Sequence, residues 1–258
     1  MTAAPHARSE GEIVASRYVV GPLIGTGGMG AVHDAQHLTV KRRFAIKFLR
    51  PDLASSASML ERFRREAEAA GSVEDEHVAA VIDFGVTDDG VPFIVMERLT
   101  GESLATIIDR GPIEPARAIA LVRQACLGVA AAHRHGLVHR DLKPGNLFVS
   151  QRKDGSEHVK VLDFGIAKRT GAEGVDRALT STGASLGTPL YMAPEQARGD
   201  RVLDGRVDVY ALGLVLYEAV SGARAHGGES YNEVVYRILH ERPTPLATLA
   251  PTLAPDLV

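Results

Sequence analysis

The segment His139-Arg140-Asp141-Leu142-Lys143-Pro144-Gly145-Asn146 places a carboxylate, an ammonium and a carboxamide within six residues, and Asp163-Phe164-Gly165 adds a second carboxylate. Asp141 can take the proton of an attacking hydroxyl or orient it. Lys143 can neutralise charge on a transferring phosphoryl group. Asn146 and Asp163 supply the hard oxygen donors that Mg²⁺ prefers. A polar loop with a chance Asp and Asn is the other reading, and the remaining motifs weigh against it. Upstream, Ala45-Ile46-Lys47 ends an alternating run on a lysine. Strand lysines usually face solvent. One held beside phosphates instead needs a carboxylate to keep it extended and charged. Glu66 is the candidate; Glu61 and Glu68 compete on the same helical stretch, and the local pattern Arg62–Ala67 favours Glu66.

Gly25-Thr26-Gly27-Gly28-Met29-Gly30 is ambiguous by itself, since this spacing marks dinucleotide turns, phosphate loops and plain glycine-rich turns alike. A dinucleotide fold needs a helix after the last glycine. Here Ala31–Gln36 reads as a strand, followed by the polar turn Thr39–Arg43 and another strand. Backbone N–H groups of such a hairpin can close over phosphates with no Cβ in the way.

The elements that must position these groups follow from periodicity. Residues 1–16 read as a polar tail. Strands are predicted at Tyr18–Ile24, Ala31–Gln36, Phe44–Leu49, Ala79–Phe84 and Pro92–Glu97. The three- and four-residue spacing of Met59, Phe63, Ala67 and Ala70 predicts a helix over Ser58–Val73. Beyond Glu97 the pattern turns helical. Pro115–His135 begins with a proline in its first turn, Arg206–Ser221 is apolar on nearly every face, as a buried helix is, and Tyr231–Glu241 is amphipathic. Short strands at Leu147–Val149 and Val159–Leu162 flank Gly155, and Gln151–His158 reads as an enlarged surface hairpin.

Composition bounds the class. Of 258 residues, 45% are apolar and 24% charged, with a net charge of −3, which excludes a disordered chain and argues against nucleic acid as a partner. The single cysteine, Cys126, excludes an internal disulfide; its apolar surroundings predict a buried structural thiol, and the low count fits a reducing, cytoplasmic setting. The most apolar run, Val207–Val220, is too short for a membrane span of about 20 residues.

Taken together, in this order, the glycine loop, Ala45-Ile46-Lys47, Glu66, His139–Asn146, Asp163-Phe164-Gly165, Ala193-Pro194-Glu195 and Asp208–Gly213 resemble the bacterial branch of the eukaryotic-type (Hanks-type) serine/threonine protein kinases. The resemblance implies an α+β, bilobal protein-kinase-like fold: a small β-rich N-lobe of five strands and one helix at 17–97, and a larger helical C-lobe at 98–258, with ATP in the cleft between them. It implies that Lys47 holds the α- and β-phosphates and pairs with Glu66. Asp141 would be the base, assisted by Lys143, and Asn146 and Asp163 would bind Mg²⁺, or Mn²⁺ in its place. Gly25, Gly27 and Gly30 would cover the phosphates. Ile24, Val32 and Ala45 would cover one side of the adenine and Phe148 the other. Met96 would be the gatekeeper, and Glu97 and Leu99 would offer hinge backbone groups. His139 and Asp208 would be structural, Asp208 holding the catalytic-loop backbone.

Serine/threonine specificity follows from Lys143 and from Thr188 in Gly187-Thr188-Pro189, within the resemblance. Arg140 beside the base predicts control by phosphorylation of the following loop, where Thr180, Ser181, Thr182 and Ser185 are the candidates and a plain hydroxyl-rich solvated loop is the alternative; the resemblance favours Thr180 and Thr182, modified by autophosphorylation in trans between two copies of the chain. Protein substrates are the expectation, because Ala193–Glu195 is an element that small-molecule phosphotransferases lack. A catalytically silent scaffold is the rival. Its support is that the chain stops at Val258, where the resemblance calls for further C-lobe helices and an arginine partner for Glu195.

Overall fold

The computed structural model describes residues 8–27, 30–50, 57–164, 189–251 and 253. These fall into two compact units, one made of the chain up to Glu74 with Ala79–Leu99, the other of Asp75–Val78 with the chain from Thr100 onward.

The first unit is a six-stranded antiparallel sheet with one helix. Its strands are β1 (Ile13–Val14), β2 (Tyr18–Gly27), β3 (Gly30–His37), β4 (Arg43–Leu49), β5 (Val81–Val86) and β6 (Pro92–Glu97), in the spatial order β1-β2-β3-β4-β6-β5. Side chains alternate across a strand, and β4 shows what that alternation does. Phe44, Ile46 and Phe48 enter a core with Val20, Ala35, Phe93 and Val95. Ala45 and Lys47 therefore share the opposite face, where Ala45 lies across from Met96 and Lys47 between Val32 and Ile94. Helix α1 (Ala57–Gly71) buries Phe63, Ala67 and Ala70, with the Phe63 ring 5.7 Å from Phe84 of β5.

The second unit carries a three-stranded antiparallel sheet, β7 (Glu102–Ser103), β8 (Leu147–Gln151) and β9 (Glu157–Val161). Its described helices are α2 (Leu104–Ile108), α3 (Pro115–Arg134), α4 (Pro194–Arg198), α5 (Arg206–Ser221), α6 (Tyr231–His240) and α7 (Leu246–Leu249). Helix α3 starts where Glu114 accepts the Ala116 and Arg117 N–H groups, which satisfies two orphan donors. Helix α5 ends on Gly222 at φ +69°, the left-handed cap that glycine adopts without strain. Val78, from the Asp75–Val78 segment, bridges Val161 in parallel. No helix among the described residues is long and apolar enough to cross a membrane.

Two sequence expectations need correction. Residues 8–16 are not a loose tail. Ile13–Val14 pairs with Tyr18–Val19 as a sixth strand, and Arg8 is bonded to Glu12, Thr87 and Asp89. Cys126 is exposed. The buried stripe of α3 runs through Leu121, Val122, Ala125, Val129 and Ala132, and the next position along from Ala125 turns outward with Leu127. Gln151–His158 forms the surface hairpin expected, closed by Arg152 N–H to Ser156 O (2.8 Å), and its last residue, His158, is buried.

Candidate active site

The site in the second unit is organised by one buried carboxylate. Asp208, in the first turn of α5, is inaccessible to solvent. Its Oδ2 accepts from the His139 backbone N–H (2.8 Å), and the His133 Nε2 lies 2.7 Å from the same oxygen; its Oδ1 accepts from the Arg140 N–H (2.8 Å). A buried carboxylate is tolerated only when its lone pairs are taken up in this way. The effect is to hold the 139–141 backbone in a conformation it would not choose alone. Arg140 has φ +63° and Asp163 has φ +54°, both left-handed and neither a glycine, a strain of about 1–3 kcal/mol each that the surroundings must offset.

His139 completes the scaffold. Asp141 N–H donates to its Nδ1 (3.3 Å), so Nε2 carries the proton and donates to Leu162 O (2.8 Å). Burial pushes the His139 pKa down, only partly opposed by the Leu162 bond, and keeps the ring neutral. The ring packs on Phe164, centroids 5.0 Å apart, tying the Asp141 loop to Asp163.

On this frame the chemistry-bearing groups converge. Lys143 Nζ lies 3.0 Å from Asp141 Oδ2. Asn146, at the end of a single 3₁₀ turn (Pro144–Asn146), donates Nδ2 to Asp141 O (2.8 Å), which leaves its amide oxygen for a cation. Leu162 N–H donates to Asn146 O (2.8 Å), so Asn146 is locked to the strand leading to Asp163. Arg140, Asp141, Lys143, Pro189, Tyr191 and Met192 line a shallow pocket over the carboxylate. Two oxygen donors of the hard type fit Mg²⁺ and would suit a softer ion poorly.

In the first unit, Lys47 is buried at 6% exposure, on the same strand face as Ala45. Gly25 pairs with Val32 and Gly27 with Gly30, and a Cβ on Gly30 would run into the Phe48 carbonyl, so the last glycine is required by backbone packing alone. Ile24 is exposed, and Val32 and Met96 are half-buried. Glu66 lies on α1, and its side chain is outside the described residues. Its competitors are otherwise engaged. Glu61 is bonded to Arg64 and Arg65, which hold its pKa down at about 2, and Glu68 is bonded to Arg64. Glu97 Oε1 accepts from Ala80 N–H (2.8 Å), while the Leu99 carbonyl is taken by the Arg98 guanidinium. Phe148, in the second unit, is half-buried on β8, paired with Ser103. Thr180, Thr182 and Thr188 lie outside the described residues.

Residues 18–253 match the profile described as the protein kinase domain. The chain belongs to the protein kinase domain family. Among its relatives, a probable serine/threonine-protein kinase of Corynebacterium efficiens is 42% identical over 250 residues, covering 94% of this chain and 37% of the relative. The serine/threonine-protein kinase PknB of Mycolicibacterium smegmatis is also 42% identical, over 95% of this chain and 39% of that one. The kinase domain thus spans about two fifths of the length of these relatives. The crystal structure of the PknI kinase domain of Mycobacterium tuberculosis superposes with a TM-score of 0.74 at 29% identity, over 96% of this chain and 87% of that one. The expected α+β kinase fold is therefore present, with β1 as an addition to the five strands anticipated.

Sequence reasoning missed several residues that shape the kinase site. Gln196 of α4 donates to Arg140 O (3.0 Å) and accepts from Ala193 N–H (3.0 Å), which joins Ala193–Glu195 to the catalytic loop. Its position three residues after Ala193 was the available signal, as the side-chain half of a capping box. Tyr191, on the pocket wall, donates to buried Glu218 of α5, with Arg224 3.5 Å from the same carboxylate. Nothing in the spacing marks that pair. Glu195 lies in the first turn of α4; the nearby Arg206 guanidinium is bonded first to Asp204, and the Glu195 charge adds to its stabilisation.

Proposed function

We propose that the chain is the catalytic domain of a serine/threonine protein kinase, transferring the γ-phosphoryl group of ATP to a protein hydroxyl. The observation that carries the reading is the Asp141–Lys143 pair at 3.0 Å, held on a strained loop by Asp208. In the proposed step the substrate oxygen bonds to the γ-phosphorus as the bond to the ADP oxygen breaks. Asp141 orients the hydroxyl and receives its proton. Lys143 stabilises charge building on the phosphoryl oxygens, and Lys47 holds the α- and β-phosphates. Asn146 and Asp163 would hold Mg²⁺, which when bound neutralises phosphate charge. The relatives are named as serine/threonine-protein kinases, so a scaffold or a small-molecule phosphotransferase is not favoured.

Two finer points belong to the same proposal. The nucleotide base is covered by Ile24, Val32, Ala45 and Phe148, with Met96 behind it. Thr180 and Thr182 are phosphorylated by a second copy of the chain, and their phosphates pair with Arg140.

The test is transfer of labelled γ-phosphate from Mg²⁺-ATP to a generic basic protein. Asp141→Asn should lower the rate by about a hundredfold or more. Full activity in that variant would remove Asp141 from the mechanism, and an inactive but folded parent would sink the assignment. Phosphosite mapping tests the regulatory part separately: a fully active enzyme with neither threonine modified overturns it alone.

A further inference from the structure

Within the second unit, the hairpin β8–β9 meets the segment Asp75–Val78 around two buried histidines. His77 and His158 are 7% and 8% exposed, with ring centroids 4.9 Å apart. Each ring commits one nitrogen to a backbone carbonyl: His77 Nδ1 to Val159 O (2.9 Å) and His158 Nε2 to Glu76 O (2.9 Å). Carbonyl oxygens only accept, so those nitrogens carry the protons. Arg152 Nη2 lies 2.9 Å from His158 Nδ1, and a guanidinium only donates, so Nδ1 presents a lone pair. A neutral His77 presents its own at Nε2. Burial and the Arg152 charge push the His158 pKa down, against the Glu76 carbonyl bond. The Glu76 carboxylate is bonded to the same guanidinium. One ligand atom each from Glu76, His77 and His158 lies within 4.8 Å of the other two.

We propose that Glu76, His77 and His158 form a binding site for a divalent transition-metal cation of the Zn²⁺ class, which replaces the Arg152 guanidinium. Two imidazole nitrogens and one carboxylate oxygen are the donor set that Zn²⁺ takes with water in the fourth position, whereas Mg²⁺ and Ca²⁺ seek oxygen alone. The carbonyl bonds on the far ring nitrogens are the outer-shell contacts that fix ligand tautomer and raise basicity. A cation already sits against two of the three ligands, as Arg152, so the electrostatic environment is in place. Its side chain is 46% exposed at the hairpin turn and can move into water, giving up an ion pair of the weak surface kind. With metal–ligand bonds of about 2.0–2.1 Å in tetrahedral geometry, ligand atoms now within 4.8 Å of one another would draw together by up to about 1.5 Å. The metal then staples the hairpin to the Asp75–Val78 segment. The inference uses no group of the phosphotransfer site and stands apart from it.

The experiment is calorimetric titration of metal-stripped, nucleotide-free protein with Zn²⁺, paired with the visible absorption of the Co²⁺ complex. One equivalent should bind, and Co²⁺ should give the intense bands of a low-coordinate site. His158→Asn and Glu76→Gln should each weaken binding by about tenfold or more. Glu76 is exposed, so its variant keeps the fold intact should the histidine variant lose it. Arg152→Ala should tighten binding, because the competing cation is gone. The proposal fails if the parent protein binds no stoichiometric metal. It fails equally if Glu76→Gln leaves affinity unchanged, which would place the ion elsewhere, or if Arg152→Ala weakens binding.

Discussion

Replacing Asp208 by asparagine tests whether a buried charge holds the catalytic loop. The carboxylate faces three partners: the backbone N–H groups of His139 and Arg140 and the His133 ring nitrogen. An asparagine oxygen can occupy the Oδ2 position and keep two of them. Its NH₂ group then points at the Arg140 N–H, donor against donor. The change loses one charge-assisted bond, worth about 1.5–3 kcal/mol, and leaves a buried donor unsatisfied at about 1–3 kcal/mol. The sum is about 2.5–6 kcal/mol against a typical domain stability of about 5–15 kcal/mol. For a domain of this size that is a fall in Tm of about 10 °C. The chain contains no tryptophan, so urea melts followed by far-UV circular dichroism are the suitable assay. A lower midpoint at unchanged slope is expected. Asp204→Asn is the control: Asp204 pairs with Arg206 at the surface, where an ion pair is weak, and its loss should barely move the midpoint. A shift for Asp208→Asn no larger than the control's would refute the claim that this carboxylate sustains the left-handed backbone at Arg140.

The other predictions are narrower. A Cβ on Gly128 of α3 would run into the His77 carbonyl, whereas one on Gly213 of α5 meets nothing within 4 Å. Gly213→Ala should therefore raise stability by about 0.5–1 kcal/mol, and Gly128→Ala should lower it by about 1–3 kcal/mol, both read from urea midpoints. Burial and the bond to Glu218 raise the Tyr191 pKa well above the usual phenol value. Since the folded state holds this proton more tightly, its stabilising contribution is complete below about pH 10 and declines as pH rises above it. Tyr191→Phe should flatten the alkaline fall in the urea midpoint; an unchanged fall would locate the titration elsewhere. Glu114 accepts two backbone N–H groups at the start of α3, which holds its pKa down, so its contribution is present at neutral pH and is lost as pH falls through the carboxylate range. Glu114→Gln should shrink the acid-induced drop in Tm.

The parts of the site legible in the sequence were those whose chemistry is local. Asp141, Lys143 and Asn146 lie within six residues, and their types suggested phosphoryl transfer, which the other motifs in order then favoured over a chance polar loop. Helix α5 was predicted to the residue, because an apolar run with Gly222 after it admits few alternatives. Contacts that depend on distant partners left no periodic trace. Gln196 reaches Arg140 across 56 residues, and His77 reaches Val159 across 82. Two-residue strands such as β1 have no pattern to detect, and Cys126 was misplaced because an apolar neighbourhood in sequence is not a buried face when the helix turns about 100° per residue. Glu66 could be chosen over Glu61 only by local pattern, and its expected partner is a distant residue that leaves no trace in that pattern.

The four residues Asp75–Val78 belong to the second unit while the chain on either side belongs to the first. That interleaving has a consequence for synthesis on the ribosome. The strands β1–β6 emerge first, yet His77 and Val78, both buried in the finished fold, wait for Val159 and Val161 to be made before their cover exists. Over those eighty-odd residues the nascent chain carries Val78 without its strand partner and His77 without its carbonyl acceptor, and uncovered surface of this kind is where chaperones bind and misfolded chains associate. A cut after Leu99 would therefore leave Asp75–Val78 without Val159 and Val161, the residues that pair with it inside the second unit.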